Sequence, residues 1–310
     1  MLASTNKCLT NTDLINADLI NIDLKNIYLK NNTIGVFDSG IGGISVLNAL
    51  VKCLPNNNYL YIADQAYLPY GTKSNQIIVE RVLSICKFLA KQCDVIVIAC
   101  NTATALAIDL VRPQINIPII GIEPAIKPAA LATKTGYIAL CATQNMLESA
   151  RLDALIAKYG AQQTFYKIPC PSWVSFVESG LFRYDLNNND DDHINNIKKN
   201  IKNDIQDKFI GIIDQIDQII LGCTHFPFLR ILIEESLDLE QRKINLIDPA
   251  MAIAARVSTC LSTLKASTNS TKIAKVDFYS TQDESALAAQ IAHLKLEYPY
   301  HCHKLCRTLL

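Results

Sequence analysis

Two segments of this 310-residue chain repeat one pattern, and this repeat constrains the fold more than any other feature. Residues 95–105 read VIVIACNTATA and residues 219–229 read IILGCTHFPFL. Each is a short apolar run, a small residue, a cysteine and then small polar residues. Residues 119–125 (IIGIEPA) and 245–250 (NLIDPA) form a second matched pair, since both end on an acid, a proline and an alanine. The cysteines lie 123 positions apart and the acids 125, so the repeat predicts two related halves.

Short apolar runs alternate with longer segments of helical period from Thr33 onward, which is typical of parallel sheets with crossover helices. We expect an α/β fold of two similar three-layer α/β domains, with largely parallel sheets and the active site in the cleft between them. The first domain is predicted at 31–127 plus 250–310, and the second at 128–249. The predicted strands are Ile34–Phe37, Tyr59–Ile62, Val95–Ala99, Ile117–Ile122, Tyr137–Leu140, Thr164–Ile168, Gln218–Leu221, Lys243–Ile247 and Val276–Tyr279.

Charge and cysteine content narrow the class of protein. Lys plus Arg and Asp plus Glu both number 29, so there is no global basic field to bind nucleic acid or an anionic membrane. The first thirty residues lack a secretory pattern, and the longest apolar runs are far shorter than the roughly 20 residues of a membrane helix. Without an export signal, eleven cysteines are typical of reduced thiols. We therefore expect a cytoplasmic enzyme.

Three segments depart from the α/β alternation. Residues 11–30 repeat every five residues, a period of neither helix nor strand, so residues 1–30 are predicted to be a flexible or loosely docked extension. Residues 184–207 are rich in Asn, Asp and Lys and are predicted to be a surface insertion, helical toward its end, without a functional site. Residues 300–306 (YHCHKLC) hold potential metal ligands but are predicted to be a terminal tail rather than a metal site.

Cys100 and Cys223 both follow a predicted strand, and in open parallel sheets ligands bind beyond the carboxyl ends of the strands. Inverting a stereocentre requires removing a proton from one face and returning one to the other. Two residues of one type, one ionised and one protonated, do this without moving. A thiol pKa of about 8.5 keeps both forms reachable near neutrality. A cysteine hydrolase would need one thiol with an orienting histidine, and a metal site would need clustered ligands. The pair therefore predicts racemisation without a cofactor or metal.

Charge that develops when an α-proton leaves must be stabilised by donors fixed in advance. Asn101 and Thr102 follow the first cysteine, Thr224 and His225 follow the second, and Ser39 lies in a glycine-rich turn. That turn (IGVFDSGIGGISV) lacks the GxGxxG order and the Lys-Ser/Thr ending of nucleotide-binding loops. We therefore expect these residues to hold a small substrate rather than a nucleotide.

As a set, these residues resemble the glutamate racemases. The related aspartate racemases share the two-cysteine arrangement, but the CTHFPFL run and the stretch 64–71 are similar to the glutamate branch. The resemblance covers about residues 34 to 280. It rests on Phe37–Gly40 with Gly42 and Gly43, Ala63 and Asp64 leading to Pro69–Gly71, Ala99–Ala103, Gly121–Ala125, Gly222–Pro227 and Asp248–Ala250.

The resemblance implies cofactor-independent conversion of L-glutamate to D-glutamate for peptidoglycan, with two cysteines as opposed proton acceptor and donor. It implies that Cys100 is the base toward D-glutamate and Cys223 the base toward L-glutamate. Asp38 is expected beside Cys100, and Glu178 with His225 beside Cys223, as catalytic neighbours. The residues expected to bind substrate are Asp38, Ser39, Tyr70, Gly71, Asn101, Thr102, Thr143, Thr224 and His225.

The resemblance to the glutamate racemases also brings out one sequence difference and implies several partners. Met146 stands where the family often has a second threonine, three residues after Thr143, which leaves one contact to the substrate carboxylate unmatched. We expect a homodimer without membrane or nucleic-acid contact. A cell-wall-precursor effector and a contact with DNA gyrase through residues 11–30 are further hypotheses. Two alternatives stay open: a racemase of the same fold acting on aspartate or another acidic amino acid, and a non-catalytic protein that binds a small molecule or a partner on a racemase scaffold.

Overall fold

In the computed structural model, residues 32–180, 192–264, 275–294 and 296–305 are described, with side chains omitted at 192–194. The extension predicted at residues 1–30, residues 184–191 of the predicted insertion, and Cys306 lie outside the described residues. Among the described helices, none combines the length and apolar character needed to cross a bilayer.

The first sheet has six strands, all parallel, in the order β10-β9-β2-β1-β3-β4. Its central strands β1, β2 and β3 are nearly continuous apolar runs, as expected where helices cover both faces of a parallel sheet. β3, for example, reads VIVI and is buried at every residue. The strands are β1 (Thr33–Asp38), β2 (Asn58–Ala63), β3 (Val95–Ile98), β4 (Ile119–Gly121), β9 (Val276–Ser280) and β10 (Tyr300–Lys304).

The second sheet has four parallel strands in the order β6-β5-β7-β8. β7 lies between two neighbours, as β3 does in the first sheet, so both cysteine-bearing strands are internal. The strands are β5 (Tyr137–Ala142), β6 (Thr164–Pro169), β7 (Gln218–Leu221) and β8 (Asn245–Ile247). The α/β fold with parallel sheets is confirmed. The exact domain boundaries stay a prediction.

The helices that connect these strands in the described residues follow them closely, often after a turn or a capping side chain. Ser74, Thr143, Ser149 and Asp283, for example, each accept a hydrogen bond from a backbone N–H of the first helical turn. The helices are α1 (Ile44–Cys53), α2 (Asn75–Leu89), α3 (Asn101–Val111), α4 (Ile126–Ala132), α5 (Gln144–Leu147), α6 (Ala150–Tyr159), α7 (Pro171–Glu178), α8 (Asp192–Lys208), α9 (Arg230–Leu237), α10 (Leu239–Arg242), α11 (Ala250–Thr263) and α12 (Glu284–Ala292).

The nine predicted strands are all present, with ends shifted by up to two residues. The expectation of a tail after residue 300 was wrong for residues 300–304, which form β10 and pair with β9. The Tyr300 ring packs edge-on against Phe278, with 5.8 Å between ring centroids. His303 bonds Asp277 at 3.0 Å. The sequence pattern did not predict β10, because an edge strand need not carry a continuous apolar run.

Helix α8 confirms that the predicted insertion is helical toward its end. Asp204 on this helix accepts a hydrogen bond of 2.8 Å from the Trp173 indole N–H. Ile201 and Ile205 are buried on the same helix. α8 therefore packs onto α7, the helix that ends at Glu178.

Candidate active site

Cys100 stands where β3 gives way to α3, as the N-cap residue of that helix. Its side chain is buried, and the Sγ atom lies 3.9 Å from the Ser39 hydroxyl oxygen. Burial raises the pKa of the Cys100 thiol and the nearby Asp38 carboxylate raises it further, while a hydrogen bond from the backbone N–H of Ala103 opposes this. Negative charge on Cys223 also raises the pKa of Cys100.

Cys223 occupies the equivalent place in the other half, after β7 and Gly222. A Cβ atom on Gly222 would lie 2.9 Å from the carbonyl oxygen of Cys141, so glycine allows the strands to approach closely here. The Cys223 sulfur lies 3.6 Å from Nδ1 of His225, and Nε2 of His225 lies 2.6 Å from Oε1 of Glu178. Thiol, imidazole and carboxylate therefore form a continuous row.

The electrostatics of His225 follow from its two contacts. Burial disfavours the charged ring, but the contacts with Cys223 and Glu178 outweigh it and raise the pKa of His225 well above its ordinary value. An imidazolium at this place has donors on both nitrogens, one toward the sulfur and one toward the carboxylate.

Asp38 at the end of β1 bridges the two halves. Its carboxylate accepts hydrogen bonds from the Gly40 backbone N–H at 2.8 Å and from the Thr224 hydroxyl at 2.9 Å. Burial raises the pKa of Asp38, whereas the charge on His225 and the two hydrogen bonds lower it, and burial prevails. Asp38 therefore has a higher proton affinity than an exposed aspartate, and its charge acts on Cys100.

The glycine-rich turn makes room for these groups. A Cβ atom on Gly42 would lie 2.4 Å from Nδ1 of His225, and one on Gly43 would lie 2.6 Å from Cβ of Asp38. Neither position can hold a larger residue unless the polar groups move. The turn is thus glycine-rich because the side chains of His225 and Asp38 pack against its backbone.

Within the part of the chain that the structure describes, Asn101 is buried with an unpaired side-chain amide. Its side chain is buried, yet neither the amide nitrogen nor the amide oxygen has a hydrogen-bond partner among the described residues. A buried amide without partners is costly unless a ligand or water satisfies it. The Thr102 and Thr143 hydroxyls, one from each half, lie 2.9 Å apart, and a Cβ atom on Gly71 would lie 3.3 Å from Cβ of Thr143. These predicted substrate residues therefore lie together.

The side-chain hydroxyl of Tyr70 is bonded to another residue of the chain and is not free to contact a substrate. Its hydroxyl donates to Asp64 at 2.6 Å, and Arg81 bonds the same carboxylate at 3.0 and 2.8 Å. The side chain of Tyr70 is thus engaged beneath the turn that carries Gly71. The Asp64 carboxylate also accepts from the Thr281 hydroxyl at 2.8 Å. Arg81 and Thr281 were missed by sequence reasoning, because neither belongs to a motif near Asp64 in the chain.

Met146 is buried in an apolar cluster with Ala142, Leu147 and Leu152. Its backbone N–H bonds the Thr143 hydroxyl at 3.4 Å. The neighbouring Asn145 side chain donates to the backbone carbonyls of Tyr70 at 3.5 Å and Lys73 at 3.3 Å. Asn145, which sequence reasoning also missed, thus joins the second half to the turn that carries Gly71.

Two cavities lie near these elements. A narrow one, too tight to admit a water molecule, is lined by Asn101, Cys223 and Thr224, among others. A larger one of about 940 Å³ is lined by the two acid-Pro-Ala elements but by neither cysteine. The narrow cavity thus brings Cys223 together with the partnerless amide of Asn101, whereas Cys100 and Asp38 do not line it. The described residues hold no cluster of three His, Cys, Asp or Glu side chains able to bind a metal.

Comparison with known proteins identifies the family to which this chain is similar. The family profile described as Asp/Glu/Hydantoin racemase matches residues 34–257. The chain is 39% identical over 233 residues to a glutamate racemase of Pseudomonas syringae pv. tomato, covering 74% of this chain and 78% of that protein. It is 36% identical over 257 residues to one of Clostridium perfringens, covering 82% and 92%.

Solved structures of glutamate racemases are similar to this chain in fold. Escherichia coli glutamate racemase, in complex with L-glutamate and the activator UDP-MurNAc-Ala, superposes with a TM-score of 0.73 at 28% identity, over 89% of this chain and 98% of that chain. Francisella tularensis glutamate racemase in complex with D-glutamate gives 0.71 at 29% identity, over 90% and 98%. The fold and the similarity over most of the chain show that this protein belongs to the Asp/Glu/hydantoin racemase family and, within it, to the glutamate racemases.

Proposed function

We propose that this chain interconverts L- and D-glutamate without a cofactor, and that Cys100 and Cys223 act as opposed proton acceptor and donor. The observation that carries the proposal is the equivalent placement of the two cysteines. Each follows an internal parallel strand, each is buried beside polar side chains, and the charge on one raises the pKa of the other. Two like acids that interact across one site are what inversion at a single carbon requires.

The reaction needs two proton transfers and no other reactant. One cysteine thiolate takes the α-proton, and the electron pair of the C–H bond remains on the α-carbon and its carboxylate. The opposite thiol then donates its S–H proton to the other face of that carbon, which leaves the two sulfurs with exchanged protonation states. The extra negative charge in between must be stabilised by fixed donors, and we assign Asn101, Thr102 and Thr224 to this task.

The neighbours of the two thiols suggest their separate duties. His225 and Glu178 form a hydrogen-bonded row that supports proton transfer at Cys223, which we assign to the α-proton of L-glutamate. Asp38 and Ser39 lie on the Cys100 side, which we assign to the α-proton of D-glutamate. We further propose that the substrate is held by Asp38, Ser39, Tyr70, Gly71, Asn101, Thr102, Thr143, Thr224 and His225, with Tyr70 acting through its backbone.

Glutamate is favoured over aspartate because the relatives cited above are glutamate racemases, and two neighbouring structures hold L- or D-glutamate. The test is incubation of enantiopure L-glutamate or L-aspartate in D₂O without added cofactor. Chiral chromatography and mass spectrometry should find D-glutamate carrying deuterium at Cα. Turnover of aspartate alone would support the aspartate alternative, and absence of exchange with both would support a non-catalytic scaffold.

The cellular context is part of the same proposal. We propose that the chain supplies D-glutamate for peptidoglycan in the cytoplasm and works as a homodimer. Growth of a D-glutamate auxotroph that expresses the chain tests the first point, and light scattering tests the second. Regulation by a cell-wall precursor and contact with gyrase stay hypotheses. Adding the precursor to the racemase assay, and deleting residues 1–30 before a gyrase inhibition assay, would decide them.

A further inference from the structure

Glu178 connects the row formed by Cys223, His225 and Glu178 to other parts of the molecule. Its Oε1 atom, already close to His225, also accepts a hydrogen bond of 2.9 Å from the Ile41 backbone N–H in the glycine-rich turn. Its Oε2 atom is buried and has no hydrogen-bond partner among the described residues. The position of this carboxylate is therefore set by few contacts, and a small displacement would break its hydrogen bond to His225.

The backbone of Glu178 is held by a residue far away in the sequence. Glu178 is the last residue of α7, where helix carbonyls lack an intrahelical partner. The side-chain amide of Gln290, on α12, donates to the Glu178 carbonyl oxygen at 2.7 Å. This bond links a helix beside β9 and β10 of the first sheet to the end of a helix that follows β6 of the second.

The same glutamine is itself anchored. Gln65 donates from its side-chain amide to Oε1 of Gln290 at 2.7 Å, and the Ser280 hydroxyl donates to Oε1 of Gln65 at 2.9 Å. Gln65 directly follows Asp64 and begins the turn that leads to Tyr70. Both ends of the Gln290 amide are thus bonded, which fixes its orientation and lets it hold the Glu178 carbonyl in one place.

We propose that Gln290 is a positioning residue for the Cys223 half of the reaction, because it holds Glu178 in hydrogen-bonding distance of His225. The inference rests on the two-base function proposed above. Gln290, on α12, would then influence catalysis through Glu178 and not by contact with the substrate. Misplacement of a catalytic group by about 1 Å can cost up to 10²-fold in rate, so loss of the anchor should be measurable.

The test must separate the two thiols, because racemisation in either direction uses both. A β-chloro analogue of glutamate does so. One base removes the α-proton, the C–H electron pair forms a double bond from Cα to Cβ, and chloride leaves with its bonding electrons. The L and D forms of the analogue therefore report on Cys223 and Cys100 separately. Water hydrolyses the product to a 2-oxo acid and ammonium, which a coupled assay detects.

Three variants and one control suffice. Gln290→Met keeps the approximate volume and removes both hydrogen bonds, whereas Gln290→Glu keeps the acceptor for Gln65 and removes only the donor to Glu178. Gln65→Met removes the anchor and leaves Gln290 in place. Gln282→Ala, an exposed glutamine just before α12, is the matched control. Thermal unfolding of each variant reports any loss of folding, and Gln290→Glu remains informative if Gln290→Met unfolds.

We expect both Gln290 variants to lower elimination from the L analogue by about tenfold, with less than a twofold change for the D analogue. Gln65→Met should show a smaller fall of the same kind, and Gln282→Ala should match the wild type for both. Equal losses for the two configurations, or no loss, would overturn the role of Gln290 and leave the two-base function standing. A wild-type protein that neither racemises glutamate nor eliminates chloride would overturn both.

Discussion

The Nε2 atom of His225 lies 2.6 Å from the Oε1 atom of Glu178, although the two residues are 47 positions apart in the chain. This contact completes a row whose other end is the Cys223 sulfur, 3.6 Å from Nδ1 of the same ring. The side chains of His225 and Glu178 are only 3% and 10% exposed, so solvent weakens their interaction little. The row distinguishes the environment of Cys223 from that of Cys100, whose polar neighbours are Ser39 and Asp38.

Replacing either cysteine should remove racemisation while leaving half of the chemistry. Cys100→Ser and Cys223→Ser each remove one of two proton carriers, so we expect kcat for glutamate racemisation to fall by about 10³-fold or more. Cys100→Ser should still eliminate chloride from the L analogue, and Cys223→Ser from the D analogue. The buried Cys86→Ser variant is the control and should racemise normally. Loss of both eliminations in each variant would refute the assignment of faces.

Replacing Glu178 should change the pH dependence of the site. Contact with Glu178 helps to hold the pKa of His225 above its ordinary value, so Glu178→Gln should move that pKa downward. A raised folded pKa stabilises the fold fully below the unfolded value of about 6.5, and this stabilisation is lost as the pH rises through the folded pKa. Glu178→Gln should therefore lower the free energy of unfolding mainly at pH values below the wild-type folded pKa of His225.

The His225 titration can be measured directly. Imidazole resonances followed by NMR from pH 5 to pH 10, with His225→Asn used to identify the signal, should show a lower midpoint in Glu178→Gln than in the wild type. The conservative Glu178→Asp variant should fall between them. An unchanged midpoint would mean that the contact between Glu178 and His225 does not control the charge of the ring.

Replacement by alanine should lower activity at Gly42 and lower stability at Gly136. Gly42→Ala would place a Cβ atom 2.4 Å from Nδ1 of His225, so the ring must move and we expect at least a 10²-fold loss of kcat. Gly136 has a φ of 80° and nothing within 4 Å of an added Cβ atom. Gly136→Ala should therefore lower the free energy of unfolding by about 1 kcal/mol and leave kcat unchanged. Steady-state kinetics with thermal unfolding checks both, and equal kinetic losses would contradict the packing argument.

Asn145 should affect substrate binding more than turnover. Its side chain bonds the carbonyls of Tyr70 and Lys73, and so ties the turn carrying Gly71 to the second half. Asn145→Ala should raise KM for glutamate about three- to tenfold, by about 1 kcal/mol, and change kcat by less than twofold. The exposed neighbour Gln144, replaced by alanine, is the control. A fall in kcat without a change in KM would show that the turn takes part in the chemical step.

The amino-acid pattern was sufficient for the α/β fold, for nine strands and for the position of Cys100 and Cys223 just after β3 and β7. This is possible because buried parallel strands are continuous apolar runs, and because the repeat at Cys100 and Cys223 is local in the sequence. Family motifs pointed to Asp38, Asn101 and His225. The structure places Asn101 at the narrow cavity, His225 beside Cys223, and Asp38 in a hydrogen bond with Thr224. β10 was missed because an edge strand needs no continuous apolar pattern.

Only the tertiary structure decided which distant residues support the site. Arg81 reaches Asp64, Asn145 reaches the Tyr70 turn, and Gln290 reaches the carbonyl of Glu178. None of the three has a local signature, because a hydrogen bond depends on distance and direction in space, whereas sequence spacing predicts neighbours only within one helix or strand. Sequence periodicity thus determined which strands and turns carry the reactive groups, and packing of the two halves decided what holds those groups in place.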